Sequence, residues 1–507
     1  MSEKSLTHNC GIAAVVLKSK NPSTKVLSYL YRLLLHQQNR GQLSSGFTIF
    51  NEEKKLLLDT HKGIGSVDEV FKPRDKSFVK HLNERFLGTC GIGHVRYSTS
   101  GSEDETLAQP FERTHGNKWK WFAFSWNGNL ANFEFLKNEI LKNPNYHLTH
   151  NNDTDVILHL LALELKEQKN GDLISVFSNV AKKFDGCFNI VFVNAFGEMI
   201  VIRDTLGIRP VVYGENDDAF LVASESNALI NCGVKNFKSL PAGHLIYVDK
   251  NGNHKIVQYS QDKKISHCMF EWVYFANASS VIDEKSVYLT RVNLGRELAK
   301  NETAHLNGNA IVVPVPDTSK PCADAMAYEL KIPCVEGLLR NRFVGRTFIE
   351  GELRNNKIEN KYTVIPEVLE NKIVLLVDDS VVRGTTIFQL IKYLKNVGKA
   401  KEVHIRISAP PLRNPCFYGI AMPTVSELLI PNYEKKIVNE EISQDILNKI
   451  ATDLGADSIR YQTISGLIKS IGFKKEELCL ACLNGNYPTK FGEKLLEEEW
   501  KNFLEKK

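Results

Sequence analysis

In the stretch THNCGIAAVV (residues 7–16), Cys10 stands directly before an apolar run. A cysteine attacks as its thiolate, so a catalytic one needs a base to take its proton. A cysteine at its chain's own N-terminus carries that base. Its α-amine, with an ordinary pKa of about 8, titrates near working pH. Residues 1–9 hold no apolar stretch of the secretory type. Two readings follow: Cys10 is a small buried residue on a first strand, or residues 1–9 are a propeptide whose removal makes Cys10 a terminal nucleophile.

A second chemistry is written in NKIVLLVDDSVVRGTTIFQLIKYL (371–394). A buried strand ends at Val377 and two carboxylates follow, Asp378 and Asp379. Ser380 and the loop Arg383-Gly384-Thr385-Thr386 then open a helix with apolar residues at 387, 390, 391, 394 and 397, stopping at Gly398. Unpaired N–H groups at a helix start, two threonine hydroxyls and a glycine that lets the backbone come close make an anion cradle. Carboxylates at a strand's carboxyl end hold ribose hydroxyls or Mg²⁺. Together they describe a site for a phosphorylated sugar. The alternative is a plain turn with a helix cap.

The ten cysteines are scattered over the 507 residues, as expected in a reducing, cytoplasmic setting. The one close pair is Cys479-x-x-Cys482. Alone it is compatible with redox chemistry, zinc or no role.

Elements that position these groups fall into two halves. Up to about residue 265, short strands such as GIAAVVL, GFTIF, FNIVFV and HLIYVD alternate with Gly-, Asn- and Asp-rich turns. Helices are expected near 26–38 and 154–168, the second capped by Asp153. Packed antiparallel sheets of α+β class follow. After a boundary at 265/266, apolar strands alternate with helices in the rhythm of a parallel α/β sheet. The C-terminal FGEKLLEEEWKNFLEKK reads as a solvated helix. A net charge of +5 without a basic stripe argues against nucleic acid, and no apolar run of about 20 residues argues for a membrane.

The 371–394 string resembles the phosphoribosyl-pyrophosphate (PRPP) motif of the type I phosphoribosyltransferases. VVPVPDTS (312–319) is similar to that family's pyrophosphate loop, with Ser319 where the pattern P-D-S-G has glycine; Thr318 keeps a hydroxyl for Mg²⁺. GLLRNRFVGRTFIE (337–350) resembles its mobile loop. The first half resembles the N-terminal-nucleophile glutamine amidotransferases. NRGQLSSG (39–46) matches H-R-G-Q-E-S-A-G with Asn39 for His and Leu43 for Glu. IGHVRYSTSG (92–101) supplies Arg96, implied to clamp the glutamine α-carboxylate. WNGNL (126–130) supplies Asn127 and Gly128, implied as the oxyanion hole. NNDTDVI (151–157) supplies Asp153, implied to pair with the α-ammonium. DTLGIRPVVYG (204–214) and ASESNAL (223–229) match as scaffold.

The two halves in this order resemble the amidophosphoribosyltransferase family over nearly the whole chain. That implies transfer of the glutamine amide nitrogen to PRPP, giving 5-phosphoribosylamine, glutamate and pyrophosphate, the first step of de novo purine synthesis. It also implies an internal ammonia passage, Mg²⁺ at Thr318, Asp378 and Asp379, a homotetramer, and feedback by purine nucleotides. The flanks of Cys268, Cys416, Cys479 and Cys482 resemble the branch that binds one [4Fe–4S] cluster; zinc is the second reading. YFANASSVID replaces Y-F-A-R-P-D-S with Asn277-Ala278-Ser279-Ser280, losing a charged pair at the domain junction, and Ala421 stands where Asp is usual. These departures motivate the competing reading of a non-catalytic PRPP- or nucleotide-binding regulator. Other glutamine-dependent enzymes, such as sugar-phosphate or asparagine-forming ones, lack a PRPP-type second half.

Overall fold

The structure is a computed structural model that describes residues 10–19, 25–97, 105–168, 171–262, 264–306, 308–341, 357–422, 424–435 and 441–505. Residues 1–9, 98–101 and the loop from 342 to 350, all singled out in the sequence, lie outside the described residues.

Two antiparallel sheets stack in the first half, as the strand pattern requires. One has seven strands, in the order Phe237–Ser239, Val212–Glu215, Ala219–Ala223, Gly11–Leu17, Cys90–Arg96, Ser44–Phe50 and Leu58–Ile64. The other has six: His254–Gln258, His244–Val248, Met199–Arg203, Gly186–Asn194, Phe122–Leu130 and Phe111–Arg113. Helices cover the outer faces, Val26–Leu35 on the first and Asp153–Glu167 with Leu173–Ala181 on the second.

Side chains alternate across a strand, so every second residue enters the layer between the sheets. At one end that layer is apolar: Ile12, Ala14, Val16, Cys90, Ile92, Ala123, Val191, Val193, Met199, Val201 and Val222. Following the same parity toward the other end, each strand turns polar, at Cys10, His94, Arg96, Ser125, Asn127, Asn189, Arg203 and Ser224, all buried. The register confirms that these ends coincide, with Gly11 opposite Val95, Asn127 opposite Asn189 and Asn189 opposite Arg203. The layer between the sheets is thus apolar core at one end and buried polar side chains at the other.

The second half holds the expected parallel sheet, Ala310–Pro314, Ile373–Asp378, Glu402–Ile407 and Ser458–Tyr461. The helix after the acidic pair runs Thr385–Asn396 and buries Ile387, Leu390, Ile391 and Leu394. Two expectations need correction. Asn152, not Asp153, caps Asp153–Glu167 by accepting the N–H of Asp155, and Asp153 is its first helical residue. The C-terminal helix Lys490–Glu505 is not solvated all round. It buries Gly492, Leu496, Trp500 and Phe503, and the Trp500 indole donates to Asn414 Oδ1 at 3.0 Å. No helix among the described residues is long and apolar enough to cross a membrane.

Candidate active sites

Cys10 lies at the polar end of the sandwich, fully buried. Its backbone N–H donates to Asn127 Oδ1 at 3.1 Å. Burial pushes the thiol up to about 11, against the Tyr97 N–H and the guanidiniums of Arg96, Arg209 and Arg40, which favour the thiolate. A thiol that holds its proton this firmly needs an adjacent base. Asn127 leaves Nδ2 without a protein partner, buried. Only glycine fits at 128, because a Cβ there would stand 2.0 Å from the Cys187 carbonyl oxygen. Asp153 accepts the Leu130 N–H on Oδ2 at 2.9 Å and leaves Oδ1 buried without a partner. Burial raises its carboxyl to about 7. Such orphaned atoms cost stability in an apolar interior and are retained where a ligand satisfies them.

Arg96 ends its strand opposite Ser44, and Gly41 packs on its backbone, where a Cβ would come within 2.3 Å. The preceding Arg40 enters a buried charge quartet. It meets Glu225 at 2.5 Å and Glu271 at 2.6 Å, and Glu271 also meets Arg209 at 2.8 Å. The substituted positions join the same quartet. Asn39 donates to Glu225 Oε1 and to the Phe275 carbonyl, while the Asn277 N–H and the Ser280 hydroxyl donate to Glu225 Oε2. The junction therefore keeps its buried charge at Glu225, and Arg40 supplies the cation. Leu43 is simply buried.

The acidic pair ends its strand as expected. Thr318 Oγ1 donates to Asp379 Oδ2 at 2.6 Å, Ser319 Oγ to Asp378 Oδ1 at 3.4 Å, and Ser380 Oγ to Asp379 Oδ1 at 2.7 Å. Burial pushes both carboxyls up, and Asp379 adds to the rise at Asp378. Gly384 turns at φ +79° just before the helix, whose first residues Thr385 and Thr386 are exposed. Arg383 pairs with Glu427 instead of turning into the cradle. Sequence reasoning missed three nearby cations. Burial lowers the Lys361 ammonium and Arg340 lowers it further, while Asp378 and Asp379 attract it. Arg340 reaches Asp317 at 3.0 Å. Arg291 lies in the field of Asp379 while donating to the carbonyls of Trp272, Tyr274 and Ala276. Lys361 and Arg291 sit in no motif, so only folding reveals them; Arg340 lies in the 337–350 stretch, which by itself gives it no role.

The two sites are joined by aromatic residues. Tyr97, whose N–H meets the Cys10 sulfur, hydrogen-bonds Tyr274, which feels Asp379 and Asp378. The Tyr97 and Phe275 rings stand edge-on at 6.2 Å.

Cys268, Cys416, Cys479 and Cys482 line one apolar cavity. Cys268 pairs in register with Cys479 across a two-residue parallel ladder. The N–H groups of Tyr418 and Ile420 both donate to Cys416 Sγ at 3.4 Å. The buried Arg209 guanidinium stands beside the Cys268 and Cys416 thiols. Four convergent thiols, N–H donors aimed at sulfur and a compensating cation suit an anionic iron–sulfur cluster. Among the described residues no set of three or more His, Cys, Asp and Glu closes on the spacing of a single bound ion. A cluster stands between its thiolates and needs wider spacing than one ion does.

This architecture, a glutaminase sandwich ahead of a phosphoribosyltransferase sheet, defines a two-site nitrogen-transfer enzyme. A glutamine amidotransferase domain model matches residues 94–231, and a phosphoribosyl transferase domain model matches 289–414. The chain is 36% identical to the amidophosphoribosyltransferase of Methanothermobacter thermautotrophicus over 98% of both chains. It is 34% identical to that of Bacillus subtilis, over 96% of this chain and 95% of the other. The solved glutamine PRPP amidotransferase from B. subtilis, complexed with ADP and GMP, superposes with a TM-score of 0.81 at 32% identity, covering 95% of this chain and 98% of that one. The chain belongs to the amidophosphoribosyltransferase family. It is a glutamine-dependent pentosyltransferase that moves the amide nitrogen of glutamine onto PRPP.

Proposed function

We propose that residues 1–9 are removed and that Cys10 is the nucleophile, with its own α-amine as base. The Cys10 nitrogen already rests on Asn127 Oδ1, which holds the future amine beside the sulfur. Moving the thiol proton to an amine near its ordinary pKa of about 8 runs uphill by roughly 4 kcal/mol. Attack on the glutamine carboxamide offsets that cost by placing charge on its oxygen, between Asn127 Nδ2 and the Gly128 N–H. Arg96 clamps the α-carboxylate and Asp153 the α-ammonium. The Cys10 terminal ammonium, which took the thiol proton, returns it to the departing nitrogen, leaving ammonia and a Cys10 thioester that water hydrolyses. Ammonia passes by Tyr97 and Tyr274 to the second site, shielded from the water that would protonate it.

There Gly384, Thr385, Thr386 and Ser380 hold the 5′-phosphate end of PRPP, joined by Arg383 once it leaves Glu427, and Asp378 and Asp379 hold the ribose. Thr318, Asp378 and Asp379 would bind Mg²⁺, which neutralises pyrophosphate charge. Lys361 and Arg340 add cations at the same place. Cys268, Cys416, Cys479 and Cys482 would hold one [4Fe–4S] cluster that pins the C-terminal segment to the domain junction. We assign domains at 10–265 and 266–507, a cytoplasmic homotetramer, and purine nucleotides as feedback ligands.

The observation that carries this reading is the Cys10–Asn127 contact, together with two buried polar atoms left without partners, Asn127 Nδ2 and Asp153 Oδ1. Intact mass tests it first, since the mature chain must begin at Cys10. Glutamate release must rise with PRPP and vanish in Cys10→Ala, while ammonia-dependent synthesis persists. Anaerobic protein should carry about four irons per chain, as four-thiolate ligation implies. Stoichiometric zinc would overturn the cluster.

A further inference from the structure

The oxyanion segment is tethered to the loop that carries Cys416. Asn127 and Asn129 lie two residues apart on Phe122–Leu130, so both face the interior of the sandwich. Asn127 reaches Cys10, whereas Asn129 donates through Nδ2 to the Phe417 carbonyl at 2.9 Å, a buried bond across 288 residues of sequence. Between them Gly128 is pressed against the Cys187 carbonyl oxygen. The Phe417 loop is itself held, because Cys416 Sγ takes the N–H groups of Tyr418 and Ile420 and the Tyr487 hydroxyl donates to the Pro415 carbonyl. The strand ladder fixes this segment only along the hydrogen-bonding direction. Asn129 supplies a side-chain bond to a different domain, where small displacements matter most.

We propose that Asn129 is a positioning residue for glutamine hydrolysis. It fixes the height of Asn127 and Gly128 relative to Cys10 by anchoring their segment to the Phe417 carbonyl. It touches neither glutamine nor PRPP. The inference rests on the reading of Cys10 and Asn127 given above, and it adds a coupling between the thiol-lined loop and the oxyanion donors.

Misplacing catalytic donors by about 1 Å costs on the order of 100-fold in rate. Asn129→Ala should therefore lower kcat for glutamate release by about 10- to 100-fold. The KM for glutamine should stay within about twofold, because Arg96 and Asp153 are untouched. Ammonia-dependent phosphoribosylamine synthesis should also stay within about twofold, which certifies a folded chain. In an Asn127→Ala background, Asn129→Ala should cost clearly less than in the parent, since one of the two donors it positions is gone. A raised KM at unchanged kcat, an equal fall in both activities, or a full additional loss in the double variant each overturns the proposal. Cys10→Ala in parallel separates the two readings: if glutamate release survives it, the nucleophile assignment fails whatever Asn129 does.

Discussion

The backbone nitrogen of Cys10 and Oδ1 of Asn127 lie 3.1 Å apart, with the Asn127 side chain fully inside the sandwich. One amide thus faces two ways. Its oxygen accepts from the nitrogen proposed as the base, and its Nδ2, buried without a partner, is the proposed oxyanion donor. Replacing Asn127 by alanine removes both. Loss of an oxyanion donor alone lowers kcat by about 10²–10³. Asn127→Ala should therefore reduce glutamine-dependent turnover by at least that range while ammonia-dependent turnover is retained. Steady-state assays with each nitrogen source check this. Equal loss with both would show that Asn127 matters to the fold and not to the oxyanion.

Asp153, the proposed partner of the glutamine α-ammonium, should give the glutamine site a pH dependence. Burial raises its carboxyl to about 7, so the folded, ligand-free chain binds a proton there that the unfolded chain releases near 4. Stability of the ligand-free protein consequently falls as pH rises from about 4 through 7. The α-ammonium of glutamine favours the charged form, so binding below pH 7 expels that proton. KM for glutamine should increase about tenfold at pH 6 relative to the plateau above pH 8. Asp153→Asn should flatten the profile and raise KM at pH 8 by about 10- to 100-fold, the value of a charge-assisted contact. A wild-type KM that is flat from pH 6 to 8 would remove Asp153 from the ammonium site.

Much of this was legible because the chemistry is local in sequence. Asp378 to Thr386 is one strand end, loop and helix start, and the alternation that carries Asn127 inward is visible in WNGNL. What escaped reading is long-range. The partners of Arg40 come from residues 225 and 271, and nothing in either segment announces a charge pair. Asn152 and Asp153 are both competent caps, and only the fold decides that Asn152 caps while Asp153 is spent on the Leu130 N–H. The C-terminal helix concealed its apolar stripe, because Leu496, Trp500 and Phe503 are interleaved with charged residues.

Glu271 is the hub of the junction. Burial alone would raise its carboxyl, but Arg40 and Arg209 outweigh burial and hold it below its ordinary value. The stability it contributes is therefore complete above about pH 4.5 and is lost as pH falls through the depressed pKa. Removing one partner of a buried ion pair leaves uncompensated charge and costs about 3–5 kcal/mol. Glu271→Ala leaves two arginines, so denaturant unfolding at pH 7.5 should show a loss at the upper end of that range. Replacing Arg209 by methionine together with Glu271→Ala should recover part of the loss, because Arg40 keeps Glu225 as its partner. A double variant no more stable than Glu271→Ala would mean that packing, not charge, sets the cost.

The acidic pair makes the opposite prediction, a substitution that stabilises. Asp378 and Asp379 are buried side by side, and both carboxyls sit above their ordinary range, through burial first and mutual repulsion second at Asp378. A raised folded pKa means that stability declines as pH climbs past the unfolded value near 4, because ionising the pair is harder in the fold than out of it. Asp379→Asn keeps an acceptor for the Thr318 hydroxyl and removes one of the two charges. The ligand-free variant should melt higher than the parent at pH 8 and gain less at pH 4, where the raised pKa values leave less charge to remove. The same substitution should abolish PRPP-stimulated glutamate release and the rise in melting temperature that Mg²⁺ with PRPP gives the parent, since bound ligand stabilises by mass action. The two effects have one origin. The cost of burying carboxylate charge in the empty site would be offset by the cation–sugar-phosphate complex, so a variant that melts lower at both pH values while still responding to PRPP would contradict both the assignment and its physical basis.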